Sequence, residues 1–270
     1  MSAVPSNTTL FPAARTSTAT RLRFLGVVRS EWRKFLSLRS LLSTALGTAV
    51  LGIAMATLYT QLLGYAEIPT ETHLPMSLSI ALGFQGILLL ALGAVIVSSE
   101  FTKGAAVTTF TAVPRRGWVF GAKLIVVVVL ALFAYLISLA TTLIGITAAN
   151  GGAALETAHW PDIARLTLVP LFYALFGFSF AWMLRSSAGA ITAGLGTIFG
   201  LQILVAMMTS AAEVFDTILT YLPMSLLASL TSDAGGGTEV SVTTAALGLT
   251  AWIIVPLAIG AVTLRRRDIA

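Results

Sequence analysis

The residues of this sequence that could carry enzyme chemistry are few and lie far apart. Ser179 lies in the apolar run Gly177-Phe178-Ser179-Phe180, which superficially resembles the setting of a nucleophilic serine inside a membrane. A serine nucleophile needs an adjacent base, and neither histidine, His73 or His159, falls in an apolar run. We therefore interpret Ser179 as a small residue packed between helices. The two histidines also lack the paired spacing of a metal site, so we predict no catalytic residue and no metal ligand.

The sequence also lacks a phosphate-binding loop. Its three lysines are Lys34, Lys103 and Lys123, and none ends a Gly-x-x-x-x-Gly-Lys-Ser/Thr pattern. We therefore predict that the chain is not an enzyme and binds no cofactor of its own. If it does work on a substrate, the energy comes from a partner.

The composition indicates a membrane protein. Of 270 residues, 57% are hydrophobic and only 10% are charged, whereas a soluble domain carries roughly 25% charge. The mean hydropathy is +0.93. Because the apolar runs are continuous rather than alternating, they predict helices and not the strands of a barrel. The predicted fold class is an all-α polytopic membrane protein.

Six apolar runs have about the length, ~20 residues, that a helix needs to cross a bilayer. They cover residues 41–63, 77–97, 124–147, 166–184, 188–209 and 242–264. Only Arg185-Ser186-Ser187 separates the fourth from the fifth, which predicts a tight helical hairpin. None of the six contains Asp, Glu, Lys, Arg or His, although ion-coupled transporters usually place such groups at membrane depth.

The polar and small residues within these spans allow two interpretations. Polar groups either line a pathway or form hydrogen bonds between helices, and we favour hydrogen bonding; the residues are Gln85, Gln202, Thr141 and Thr142. Gly196 and Gly200 form a GxxxG pattern, which permits close helix approach within the chain or across a dimer. We favour packing within the chain.

The basic residues set the predicted orientation. Of sixteen Lys and Arg residues, all except Arg165 fall in the two terminal regions, in the segment after the second span or in the turn after the fourth. By the positive-inside rule these regions are cytoplasmic, so both termini face the cytoplasm of a plasma membrane. The net charge of +5 is then a topology signal and does not indicate nucleic-acid binding.

The remaining segments complete the predicted organisation. Residues 1–20, rich in Ser, Thr, Ala and Pro, predict a disordered cytoplasmic tail with no signal peptide. Residues 21–40 predict a basic amphipathic helix at the interface, with Leu25, Val28, Trp32 and Phe35 on one face. The transmembrane domain covers residues 41–264, and residues 265–270 form a cytoplasmic C-terminus. Residues 214–230, broken by Pro223, predict one or two short helices in the outer leaflet.

One polar stretch, residues 98–123, interrupts the middle of the chain. It holds Glu100, Lys103, Arg115, Arg116 and Lys123 around a mostly apolar segment, residues 105–113, that is too short to span a bilayer. That segment has the length of two to three helical turns. We predict a short helix here at the cytoplasmic surface, although a plain loop with topology-setting arginines is the alternative.

These features together resemble the membrane subunit of an ABC transporter in the ABC-2 (type V exporter) permease family. The resemblance covers about residues 21–268 and rests on the order of spans and loops and on four motifs. The motifs are Ser30-Glu31-Trp32-Arg33-Lys34, Ser99-Glu100-Phe101-Thr102-Lys103-Gly104, Pro114-Arg115-Arg116 followed by Lys123, and Leu264-Arg265-Arg266-Arg267-Asp268.

The resemblance implies a partner and a site. In the family, two permease subunits or halves pair with two ATP-binding subunits, which carry ATP and Mg²⁺, and a coupling helix after the second span docks on the ATPase. Carried over by position, the coupling residues are Glu100, Gly104, Ala105, Val107, Phe110, Val113, Pro114, Arg115 and Arg116. The interfacial helix would add Trp32, Arg33 and Lys34. The outer segment, residues 214–230, would cap the pathway.

The expected function is export of a hydrophobic or amphipathic compound by a permease dimer, homomeric or heteromeric, in contact with membrane lipid. The alternatives are a non-transporting assembly or sensory protein and, more remotely, an intramembrane enzyme. The sequence does not identify the substrate.

Overall fold

The computed structural model describes residues 23–37, 39–65, 70–102, 116–150, 156, 159–231 and 240–266. Every regular element in these ranges is a helix. In chain order they are α1 (Phe24–Ser37), α2 (Arg39–Tyr65), α3 (Thr70–Thr102), α4 (Arg116–Asn150), α5 (Trp160–Arg165), α6 (Leu168–Leu184), α7 (Ser187–Leu195), a π-helical turn (Gly196–Gly200), α8 (Leu201–Met208), α9 (Val214–Thr220), α10 (Pro223–Thr231) and α11 (Val242–Arg266).

Six stretches of helix are long and apolar enough to cross a membrane. The fourth combines α5 with α6, and the fifth combines α7, the π-helical turn and α8. The six stretches coincide with the six predicted spans, so the prediction of an all-α chain with six candidate membrane-spanning helices is confirmed. The short helices α9 and α10 are bent by 58° at their junction, and they would make a seventh candidate if counted as one broken span. The predicted break near Pro223 is confirmed, because α10 begins at that residue.

The helices of the second and third spans extend well beyond the apolar runs. Helix α3 has 33 residues and α4 has 35, which at 1.5 Å per residue is about 50 Å, compared with ~30 Å of hydrocarbon. The sequence analysis ended the second span at Val97 and began the third at Leu124. Both helices instead continue through Glu100 and Lys123, and both side chains are buried.

Helices α3 and α6 form the centre of the bundle. About 61% of the second candidate span and 67% of the fourth are buried inside the protein, compared with 17–33% for the other four. The two helices approach closely at Gly93 of α3 and Gly177 of α6. A Cβ atom at Gly93 would overlap the carbonyl oxygen of Ala174, and one at Gly177 would overlap that of Leu90. Glycine at both positions therefore permits direct contact between the two backbones.

The predicted hairpin between the fourth and fifth spans is present. Helix α6 ends at Leu184, and Arg185 adopts the left-handed conformation with φ of 54°. Ser186 then caps α7, its Oγ accepting a hydrogen bond of 3.2 Å from the backbone N–H of Gly189. The Arg185 guanidinium lies 5.3 Å from the ring centre of Phe101, a cation–π distance that ties the hairpin to the end of α3.

Gln85 is the main polar side chain of the early spans, and it forms hydrogen bonds between helices. The Gln85 amide nitrogen on α3 donates to the carbonyl oxygens of Thr48 at 3.1 Å and Ala134 at 3.5 Å. Its amide oxygen accepts from Ser138 Oγ at 3.1 Å. Gln85 therefore joins α2, α3 and α4, as the hydrogen-bonding interpretation predicted.

Of the other polar groups within the spans, Gln202 also forms a bond between helices, whereas Thr141 and Thr142 bond within α4 and do not follow that interpretation. Thr141 and Thr142 donate to carbonyl oxygens of their own helix, and the Gln202 amide nitrogen donates to Ser225 Oγ at 2.9 Å. For Gln202 this bond joins α8 to α10.

The predicted packing of the GxxxG pattern within the chain is wrong. Gly196 and Gly200 bound the π-helical turn, and a Cβ built on either meets no atom of the described residues within 4 Å. Both glycines are exposed on the outer surface of the bundle. The pattern therefore leaves a smooth face open instead of admitting another helix of the same chain.

Candidate functional site

Four charged side chains meet at the end of the bundle where α3 ends and α4 begins. We call Glu31, Lys34, Glu100 and Lys123 the charge cluster. Lys34 Nζ lies 2.8 Å from Glu31 Oε1 and 2.9 Å from Glu100 Oε1. Lys123 Nζ lies 2.6 Å from Glu31 Oε2 and 3.0 Å from Glu100 Oε1. Each ammonium group thus bridges both carboxylates, and three separate helices are joined.

Three members of the charge cluster are buried. Glu31 is 5% exposed, Glu100 is 4% exposed and Lys123 is 2% exposed. Lys123 also donates to the Ile96 carbonyl oxygen at 3.1 Å. Because two positive and two negative groups are present, the charge cluster has no net charge. Removing one member of such a buried set is costly, since the opposite charge stays buried without full compensation.

The spacing of buried residues along α1 places Glu31 in the charge cluster. Val27, Glu31 and Phe35 recur every four residues and form the buried side of α1. Leu25, predicted to share the apolar face with Phe35, is 77% exposed and lies outside this buried side. Glu31 occupies the centre of the buried side because Lys34, three residues later, and Lys123 neutralise it.

Lys34 is the member of the charge cluster nearest to solvent, with a side chain that is 39% exposed. Burial by itself would lower the pKa of Lys34. Hydrogen bonds to Glu31 and Glu100, together with the attraction of their charges, outweigh burial and raise the pKa above its ordinary value of 10.5.

This shift predicts how the stabilisation by Lys34 depends on pH. A raised folded-state pKa stabilises the fold fully below the unfolded value, and the contribution disappears as pH rises through the folded value. We therefore expect the difference in melting temperature between wild type and Lys34→Met to stay constant from pH 7 to about pH 9.5 and to shrink above about pH 10.5. Thermal unfolding of both proteins in the same detergent across this range measures it. A difference that already shrinks below pH 9 would contradict the assignment.

The described part of the chain contains five of the residues predicted for the site. Trp32, Arg33 and Lys34 lie on α1, and Glu100 lies in the last turns of α3. Arg116 is the first residue of α4, and its guanidinium donates to the Leu264 carbonyl oxygen on α11 at 3.3 Å. The other predicted coupling residues lie outside the described residues; they are Gly104, Ala105, Val107, Phe110, Val113, Pro114 and Arg115.

The sequence analysis missed Glu31 and Lys123 as members of the site. One signal was available for each of them. Glu31 is the single acidic residue in the basic segment 21–40, and Lys123 directly precedes the long apolar run of the third span. An isolated charge at such a position requires a partner of opposite sign.

The six long apolar helices, with the charge cluster at one end of the bundle, form the architecture of a multi-pass helical membrane protein. Comparison with protein-family models and with curated protein sequences gives no match. Among the residues that the structure describes, no group of three or more His, Asp or Glu side chains is placed to hold a metal ion.

Proposed function

We propose that the chain is the membrane-spanning permease subunit of an ABC transporter of the ABC-2 type. In this proposal it exports a hydrophobic or amphipathic compound across the plasma membrane, with both termini in the cytoplasm. The energy comes from ATP bound with Mg²⁺ by a separate ATP-binding subunit, and the chain itself is not an enzyme. The order of spans and the four motifs described above support this assignment.

The charge cluster is the observation that carries the proposal. Residues 103–115, which contain the proposed coupling helix, connect the end of α3 at Thr102 to the start of α4 at Arg116. Glu100 and Lys123 lie on these helices within two turns of those ends, and Glu31 and Lys34 bind both to α1. A force applied to residues 103–115 would therefore move α1, α3 and α4 together, which is the mechanical requirement for coupling.

In this proposal the second permease copy contacts the exposed face of the fifth span, residues 187–208. Only 17% of that span is buried within one chain, and Gly196 and Gly200 leave its exposed surface without side chains at these two positions. Such a small-residue face suits close contact with another helix in a membrane. The partner copy, identical or related, would complete the transport pathway between the two subunits.

The experiment tests docking of a defined partner. The chain is co-purified in detergent with a candidate ATP-binding protein that carries a phosphate-binding loop, and the wild type is compared with Arg115→Glu. For the wild type we expect a stable complex with stimulated ATPase activity. For Arg115→Glu we expect the affinity to fall by at least about tenfold, because the substitution reverses a charge beside the proposed docking helix. Arg115 is preferred to Arg116 because Arg116 also binds Leu264.

Arg267→Glu is the matched control, because it makes the same charge change at the predicted cytoplasmic C-terminus. It should leave both affinity and ATPase stimulation unchanged. If no complex forms, or if Arg115→Glu behaves like Arg267→Glu, the coupling proposal fails and a non-transporting assembly or sensory role is favoured instead.

A further inference from the structure

A large apolar groove lies beside the charge cluster. It has a volume of about 620 Å³, within the range of ligand pockets, and is formed by α1, α2, α3 and α4. We call it the inner groove. Its lining is apolar except for Thr48, and consists of Trp32, Phe35, Leu36, Leu42, Ala45, Leu46, Thr48, Ala49, Leu89, Leu92, Val129, Leu130, Phe133, Ala134 and Ile137.

The inner groove has the depth of part of one membrane leaflet. Its lining extends from Leu42 to Ala49 on α2 and from Val129 to Ile137 on α4, which is about 10–12 Å along the helix axes. Half of the hydrocarbon core is about 15 Å thick. Residues of α1 close one end of the groove, at the level where the interfacial helix meets the bundle. The groove therefore matches the position of a lipid acyl chain in that leaflet.

Three arginines lie beside residues that line the inner groove, and two of them, Arg29 and Arg33, line a smaller polar pocket on α1. Arg29, Arg33 and Arg39 are exposed, and each precedes a lining residue by three positions, namely Trp32, Leu36 and Leu42. Residues three apart on a helix are neighbours on its surface, so each arginine is next to a lining residue of the groove. None of the three arginines forms an ion pair within the described part of the chain. Their positive charge is thus available to a ligand.

We infer that the inner groove is a binding site for an anionic phospholipid, with an acyl chain in the groove and the phosphate headgroup at the three arginines. Charge complementarity selects this occupant, because the walls are apolar and the exposed charged residues that neighbour them on the described parts of α1 and α2 are arginines. A neutral lipid would fill the groove but leave the arginines without a counterion. Glu31 does not compensate them, since it is buried and bound to Lys34 and Lys123. The inference does not rest on the transporter proposal.

The test uses Trp32 as a reporter inside the groove. The chain alone is reconstituted into dioleoylphosphatidylcholine vesicles that contain rising fractions of brominated phosphatidylglycerol or, in parallel, brominated phosphatidylcholine. Bromine quenches tryptophan fluorescence on contact, and subtracting the signal of Trp32→Phe isolates quenching at the groove. We expect phosphatidylglycerol to bind at least tenfold more strongly than phosphatidylcholine, since each basic side chain near the lipid contributes about fivefold.

Two sets of variants distinguish recognition of the lipid headgroup from recognition of its acyl chain. Arg29→Gln/Arg33→Gln/Arg39→Gln should bring the preference for phosphatidylglycerol close to one, whereas the matching triple Lys variant, which keeps the charge, should retain most of it. Ala49→Phe, which fills the groove, should reduce quenching by both brominated lipids, whereas Ala251→Phe on the exposed surface of α11 should not.

Three results would overturn the inference. These are equal binding of the two lipids by wild type, a preference that survives the Gln substitutions, and quenching that Ala49→Phe leaves unchanged. The exposed arginine variants do not disturb the packed interior, so they decide the question even if Ala49→Phe fails to fold.

Discussion

Lys123→Met is expected to lower the free energy of unfolding by about 3–5 kcal/mol, the usual cost of removing one partner from a buried ion pair. Lys123 is 2% exposed and contacts both Glu31 and Glu100. Without it, the charge cluster keeps two buried carboxylates but loses one of its two ammonium groups. Unfolding in mixed detergent micelles, followed by circular dichroism, measures the loss.

The double variant Glu100→Gln/Lys123→Met distinguishes charge balance from lost packing. It removes one charge of each sign and leaves Glu31 and Lys34 paired at 2.8 Å. We therefore expect it to be more stable than Lys123→Met alone, by about 2 kcal/mol, because a neutral set replaces an unbalanced one. If the double variant is the less stable of the two, the charge cluster does not act as a neutral unit.

The second large effect is expected at the close approach of α3 and α6. Gly93→Ala and Gly177→Ala should each lower the free energy of unfolding by about 3 kcal/mol, the upper end of the range for overpacking a core. In both cases the added methyl group would overlap a backbone carbonyl of the facing helix, which cannot rotate aside. The helices must move apart, and the same unfolding assay reports the loss of their contacts.

Gly83→Ala is the matched control on α3. A Cβ there meets nothing within 4 Å, so only helix propensity changes, and alanine should stabilise the helix by roughly 0.5–1 kcal/mol. Gly93→Ala and Gly177→Ala combined should cost less than their sum, because the first substitution already separates the helices. A Gly93→Ala protein as stable as Gly83→Ala would refute the close contact.

The sequence was sufficient to predict the helices because their determinants are local. Continuous apolar runs, the Arg185-Ser186-Ser187 turn and Pro223 each act on their own neighbourhood, and the corresponding spans, hairpin and helix start are present. The ends of α3 and α4 were missed because a hydropathy criterion stops at the first charge. Glu100 and Lys123 can remain in buried helix because Lys123 pairs with Glu100 and also with Glu31 across the bundle.

The remaining differences between the sequence-based predictions and the structure arise from contacts between residues that are far apart in the sequence. Gly177 and Gly196 are both glycines in apolar spans, and nothing local separates them. The first faces a backbone of α3 and the second faces open space. The same limit applies to Glu31, whose partner Lys123 is far away in the sequence. The predicted coupling residues from Gly104 to Arg115 lie outside the described part of the chain, so they stay predictions.

The arrangement of the charge cluster has a consequence for biogenesis. During synthesis Glu31, Lys34 and Glu100 leave the ribosome before Lys123, so the charge cluster first holds two carboxylates and one ammonium group. Lys123, at the start of the third span, adds the second ammonium group and contacts both carboxylates. The first three spans therefore reach electrostatic balance as one insertion unit, before α6 emerges to pack against α3.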